Sequence, residues 1–262
     1  MSCENSDLVE RLLEYEKKLD DQKDDLDTWI DALEELPEIE NAFEDNGKIE
    51  LHAKTILDVG TDAVKPLYIS LKFKPSKILG ISEELRPFAT VLEQKSKLVI
   101  ETQIRLYNCS LFDKKMFDEI LKKERIDRKF DFVLVSKALH HLRTGKCVAN
   151  ERNEQHECRE DEGCCIYGFK EKEIFKRLLE LGKRVIIYEY FDASDIDNDK
   201  IRGRGGYFTT KECKRMLVHL SGKYKVEFIS PERFHLDKET INRVDSILRQ
   251  VDFICFYVEE RH

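Results

Sequence analysis

Apolar positions follow two regimes along the chain. Over residues 6–45, Leu8, Leu12, Tyr15 and Leu19 recur at spacings of four, three and four, and Leu26, Ile30 and Leu33 resume after the acidic break DDQKDD. Such spacings lay the side chains on one face of a helix, and Pro37 ends or redirects the second segment. From residue 52 the period changes. TILDV, KILGI, IRLYN, FDFVLVS and KRVIIYEYF read as strands, and 64–73, 86–95, 114–123 and 170–181 read as helices between them. Strands separated by helices of this length imply right-handed crossovers and a parallel sheet. Runs such as FVLV and VIIY lack polar alternation, the pattern of strands covered on both faces.

The last third breaks the rhythm. A helix is expected over 209–220, with Thr209 or Thr210 as its cap and Glu212 close behind. KYKVEFIS and DFICFYVEE read as strands with a helix-like KETINRVDSIL between them, and the final strand is expected to insert antiparallel. The predicted fold class is α/β: a three-layer sandwich around a seven-stranded, mostly parallel sheet with its last strand antiparallel, plus an N-terminal helical extension. The expected division is an extension over 1–50 and a sheet domain over 51–262, with a Cys-containing insertion at 143–169.

Charge sharpens that division. The first 50 residues hold 18 acidic and 5 basic side chains, while the whole chain is only −8, so the remainder is net +5. A mildly basic main domain is compatible with an anionic partner. No apolar run approaches the roughly 20 residues needed to span a membrane, so no membrane partner is expected. MSCENSDLVERL lacks the pattern of a secretory signal. Eight cysteines without such a signal point to free thiols in a reducing compartment, hence a cytoplasmic location.

Several segments carry a family resemblance. TILDVG looks like a first motif, SKILGISEEL like a second strand with its acidic end, and FDFVLVSKALHHL like a fourth strand with the loop after it. GGYFTTKECKRML followed by YKVEFIS looks like a helix and sixth strand beyond the core. In that order they resemble class I S-adenosylmethionine-dependent methyltransferases over about residues 52–258. The resemblance implies S-adenosylmethionine as cofactor and methyl transfer to an acceptor: a small molecule, a protein or an RNA.

It also implies roles. Asp58 would order the first loop and approach the methionine ammonium; Gly60 marks a close-approach position, and Thr61 would meet the methionine carboxylate. Ser82, or Glu83 one residue later, would take the ribose hydroxyls, and Asn108 the adenine amino group. Ser136 and Lys137 would face the transferable methyl or the acceptor. The chain departs from the pattern in keeping only Gly60 of the first motif's glycines and in placing Ser82 where an acid is usual. Those departures favour an alternative, a catalytically inactive methyltransferase-like binding or regulatory subunit. A nicotinamide-dependent oxidoreductase is disfavoured because the Gly-x-Gly-x-x-Gly fingerprint is missing.

Residues near the same edge complete the candidate set. His140 and His141 follow the fourth strand; neighbours on a helix point about 100° apart, so at most one serves as general base. Glu189 closes the fifth strand and is a further catalytic candidate. The loop DKIRGRGGYF brings Arg202, Arg204 and Tyr207 as substrate candidates, the arginines suited to a phosphate or carboxylate. Cys147, His156, Cys158, Cys164 and Cys165 include no Cys-x-x-Cys pair, so no metal is assigned; free thiols, a disulfide and metal binding are the alternatives for this segment, in a loop that would shape the substrate pocket. The N-terminal helices are candidates for an oligomer contact.

Overall fold

The computed structural model describes residues 39–45, 48–49, 51, 54–61, 65–82, 100–126, 129–139, 142, 171–192, 208–230, 232–248, 251 and 253–261. Seven full strands form one sheet: β1 (Thr55–Val59), β2 (Lys77–Ser82), β3 (Gln103–Asn108), β4 (Phe130–Ser136), β5 (Gly182–Asp192), β6 (Lys225–Ser230) and β7 (Phe253–Glu259). Their spatial order is β3-β2-β1-β4-β5-β7-β6. Strands β3, β2, β1, β4 and β5 pair in parallel, and β7 inserts antiparallel between β5 and β6. Two-residue strands extend the sheet, Phe208–Thr209 beside β5 and Phe234–His235 beside β6. This is the predicted α/β architecture, a mostly parallel sheet with its last strand antiparallel.

Strand parity divides the apolar side chains between two faces. Leu57, Leu79, Val133, Val135, Val185 and Ile187 meet α2 (Lys114–Lys123), α3 (Glu171–Leu181), α4 (Thr210–Ser221) and α5 (Ile241–Leu248). Ile56, Ile78, Phe132, Leu134 and Ile186 meet α1 (Lys65–Phe73) and the helical residues 39–43. The sheet is thus the middle of three layers. Phe43 sits edge-on to Phe132, ring centroids 5.5 Å apart, and contacts Phe73 at 5.9 Å. Each such fully buried side chain contributes about 1.5–3 kcal/mol.

Local signals explain the element ends. Pro66 sits in the first turn of α1, where its missing N–H breaks no intrahelical bond. Lys74, at φ 50°, and Pro75 stop that helix. Asp113 caps α2 by accepting from the Met116 N–H at 3.0 Å. The helix expected over 209–220 starts at Thr210, because Thr209 pairs with Asp192 in the sheet. The helix within KETINRVDSIL starts only at Ile241; Asp237 first closes a turn by accepting from the Glu239 and Thr240 N–H groups. The expected helix 86–95, most of the expected 6–45 helix and the cysteine-bearing segment 143–169 lie outside the described residues. Among the described residues no helix is long and apolar enough to cross a membrane.

Candidate functional site

From β1 the chain runs outward to β2 and β3, then returns to β4 on the other flank of β1. Open α/β sheets bind ligands outside the carboxyl ends of their strands, at such a reversal of order. The two strands that flank it, β1 and β4, end in Asp58-Val59-Gly60 and Ser136-Lys137. Asp58, Gly60, Ser136 and Lys137 therefore lie together at the edge where the strand order reverses.

Parity then sorts them by face, because register partners in a sheet share one. Asp58 lies opposite Gly80 and Leu134, Ser82 opposite Asn108, and Ser136 opposite Tyr188. Asp58, Ser82, Asn108, Ser136, Tyr188 and Tyr190 consequently share the α1 face. Glu189 lies on the other face, 2% exposed, with a carboxylate oxygen accepting from the Tyr190 N–H at 3.0 Å. It borders Cys213 of α4. Burial pushes the Cys213 thiol well above its ordinary range, and the Glu189 and Glu212 carboxylates push it further. The sheet thus separates Glu189 from the Asp58 face.

The turn after β1 is held by protein contacts. Gly60 has φ +70°, and a Cβ there would come within 2.4 Å of the Ala138 Cβ. The Gly60 and Thr61 N–H groups both donate to the Ile81 carbonyl, at 2.9 and 3.0 Å. Thr61 is 3% exposed, and its side chain lies over Gly80, where an added Cβ would meet the Thr61 Oγ1 at 2.9 Å. Gly60 is therefore a close-approach residue, and the group that approaches it is Ala138. The Thr61 side chain packs onto β2.

Asp58 is 1% exposed at the end of β1. Ser82 and Asn108 end β2 and β3 side by side, and the Asn108 amide nitrogen donates to the Ser82 carbonyl at 3.2 Å. Ser136 is buried. Lys137 adopts φ 50°, donates its N–H to the Tyr188 carbonyl at 2.8 Å, and carries its ammonium 4.6 Å from the centre of the Tyr190 ring. Glu83, His140, His141, Arg202, Arg204 and Tyr207 lie outside the described residues.

Sequence reading missed Ala138, Tyr188 and Phe253. The last two form a ring cluster with Tyr190: Tyr188 stacks on Phe253 at 5.3 Å, and Tyr190 stands edge-on to both. Alternating aromatics in YEYF were the available signal; the partner Phe253 comes from pairing with β7, which no local pattern reveals.

A cavity of about 470 Å³ opens at the other end of the sheet, lined by Lys77, Glu124, Lys129, Asp131 and Lys183 among others. Its acids and cations largely neutralise one another: Lys77 binds Glu124 at 3.1 Å and Lys183 binds Asp131 at 2.6 Å. Asp131 also accepts from the Thr55 N–H and hydroxyl. The cavity lies at the amino ends of the strands, opposite the edge at which Asp58 and Ser136 end theirs. Among the described residues no group of His, Cys, Asp or Glu is placed to hold a metal.

No family model matches the chain, and no curated protein matches it. Solved structures do match, across most of the chain. The plantazolicin methyltransferase BpumL, in complex with SAH, is 13% identical, covering 86% of this chain and 82% of its own, with a TM-score of 0.46. The methyltransferase domain of a bacterial Hen1 is 16% identical over 80% of this chain and 91% of its own, TM-score 0.48. The N-methyltransferase NodS from Bradyrhizobium japonicum WM9 is 9% identical over 87% and 93%, TM-score 0.44.

Proposed function

We propose that this chain is an S-adenosylmethionine-dependent methyltransferase. The observation that carries the reading is the meeting of Asp58–Gly60 and Ser136–Lys137 on adjacent strands at the reversal of strand order. The residues present fit such a cofactor. A carboxylate at the carboxyl end of β1 suits a cationic amino-acid moiety, and the Ser82 hydroxyl and Asn108 amide, side by side on β2 and β3, suit a nucleoside. S-Adenosylmethionine, when bound, supplies an electrophilic methyl on a positively charged sulfur. The chain's own work is to hold an acceptor in line and keep water out, which supplies effective molarities on the order of 10⁵ M or more. A base is needed only for a hydroxyl or protonated amine, and His140 or His141 is the proposed base. Arg202, Arg204 and Tyr207 are proposed to engage the acceptor. A cytoplasmic location and self-association through the N-terminal extension belong to the same proposal.

A second reading has its own supporting observation. The Gly60 and Thr61 N–H groups are both spent on the Ile81 carbonyl, so this turn offers a ligand fewer backbone donors than a glycine-rich loop. That favours a methyltransferase-like subunit that binds or regulates without catalysis.

Thermal denaturation with S-adenosylmethionine, S-adenosylhomocysteine and NAD separates the readings. A ligand at 100-fold its Kd adds about 2.7 kcal/mol of stability. Stabilisation by both adenosyl ligands and not by NAD, lost in Asp58→Ala, is expected. Absence of any shift at millimolar concentration overturns the methyltransferase reading and leaves the binding subunit.

A further inference from the structure

We infer that the cavity at the amino ends of the strands is a second binding site, for a small phosphate ester held by Arg125 and Lys129; the inference does not depend on the methyltransferase reading. The floor of the cavity is one polar row. Gln103, Lys77 and Thr55 are register partners at the first positions of β3, β2 and β1. Asp131, second in β4, extends the row by accepting from the Thr55 N–H at 2.9 Å and from the ammonium of Lys183, second in β5, at 2.6 Å. Parity puts all five on the face covered by α2, where the same strands carry Leu57, Leu79, Val133 and Val185 further along. The end of α2 forms the wall. The chain turns at Arg125, φ 56°, and Glu124, Arg125 and Ile126 line the space. At about 470 Å³, the cavity falls in the range of roughly 300–1,000 Å³ that small-molecule sites occupy.

Charge selects the ligand. The lining holds four cations, Lys77, Arg125, Lys129 and Lys183, against two acids, Glu124 and Asp131, a surplus of two positive charges. Both acids are committed to protein donors. Burial opposes their ionisation, but hydrogen bonds from Tyr107 and Lys77 to Glu124, and from Lys183 and Thr55 to Asp131, hold both carboxyls below their ordinary range. The last carbonyls of α2 are committed as well. Those of Ile120, Leu121 and Lys122 accept from the N–H groups of Glu124, Ile126 and Arg125, and that of Glu124 accepts from Lys77 at 2.9 Å. A cationic ligand would have to displace these bonds.

The cations on the rim are less engaged. Arg125 is exposed and makes no ion pair among the described residues. Lys129 meets Glu260 at 3.3 Å, an exposed pair that solvent and salt weaken. A phosphate monoester dianion matches the surplus charge, and a guanidinium forks onto two of its oxygens. Gln103, exposed on the floor, offers its amide to the hydroxyls of such a ligand.

Ribose 5-phosphate, gluconate and ribose test this through the melting temperature of the full chain at fixed, low ionic strength. Ribose 5-phosphate is expected to stabilise at a concentration about tenfold or more below that of gluconate, as loss of one charge-assisted hydrogen bond implies. Ribose is expected to have no effect. Arg125→Gly, which suits the positive φ, and Lys129→Met remove exposed charges. Each is expected to raise the concentration of ribose 5-phosphate required by about tenfold, compared with its own ligand-free melting point. Saturating S-adenosylhomocysteine is expected to leave the response unchanged, since the two edges lie at opposite ends of the strands. No response, an equal response to gluconate, or a response that survives both variants (an adventitious ion only) overturns the site. A response abolished by S-adenosylhomocysteine also overturns it, by placing the phosphate at the Asp58 edge.

Discussion

Gly60 stands against Ala138 across the boundary between β1 and β4, so closely that a Cβ at residue 60 would come within 2.4 Å of the Ala138 Cβ. The contact joins the turn after the first strand to the bend after the fourth. Gly60→Ala introduces two faults, a clash and a side chain at φ +70°. Each costs about 1–3 kcal/mol. Ala138→Gly relieves the clash and leaves the dihedral cost. In urea denaturation the double variant is therefore expected to recover part of the loss, and strict additivity of the two single variants would refute the contact.

Gly80 makes the same kind of accommodation for Thr61. An added Cβ would lie 2.7 Å from Leu106 Cδ2 and 2.9 and 3.0 Å from the Thr61 Oγ1 and Cβ. Leu106 offers a flexible end that can move; Thr61 is pinned by its N–H to the Ile81 carbonyl. Gly80→Ala is expected to cost about 1–2 kcal/mol despite relieving the entropy penalty of a strand glycine. Because the displaced residue is part of the proposed cofactor turn, calorimetry should show S-adenosylhomocysteine affinity falling as well. Unchanged affinity would mean that the turn lies away from the ligand.

Much of this architecture is legible in the sequence because its cause is local. The apolar runs TILDV and KILGI become β1 and β2 as β-branched and leucine residues fill both faces, and Asp113 announces α2 with a cap one residue before its first turn. The reasons for Gly60 and Gly80 are not local. Ala138 lies 78 positions beyond Gly60, and no pattern around either residue encodes their contact. Glu189 illustrates the other gap. YEY shows that its side chain opposes those of its neighbours, but which face carries Asp58 depends on the register of β1, β4 and β5. Only pairing reveals that the tyrosines, rather than the acid between them, share that face.

The buried thiols give a prediction independent of any ligand. Cys109, Cys213 and Cys255 are buried and reduced. Burial raises the Cys213 thiol pKa, and the nearby Glu189 and Glu212 carboxylates raise it further. Since the thiolate is the nucleophile, Cys213 is expected to resist iodoacetamide in the native protein at pH 8 and to react fully in denaturant. Mapping the alkylated peptides by mass spectrometry checks this. Labelling of Cys213 at the rate of a free thiol would contradict its placement between β5 and α4.

Glu227, near the outer edge of the sheet on β6, ties stability to acid. Burial opposes its charge, but hydrogen bonds from the Tyr257 hydroxyl and from Arg233, at 2.7 Å, together with the nearby His235, outweigh it and hold the carboxyl below its usual range. Tyr257 is pushed the other way, by burial and then by the Glu227 carboxylate. A depressed folded-state pKa contributes stability that is complete above the unfolded value of about 4.3 and disappears as pH falls through the folded value. Glu227→Gln keeps the size and removes the charge, so it is expected to cost about 1.5–3 kcal/mol at pH 7, the contribution of hydrogen bonds to a charged group. Urea midpoints of parent and variant should converge as pH drops below about 4. A gap that stays constant from pH 7 to 3 would mean that Glu227 contributes through packing alone, with its charge already screened at the sheet edge.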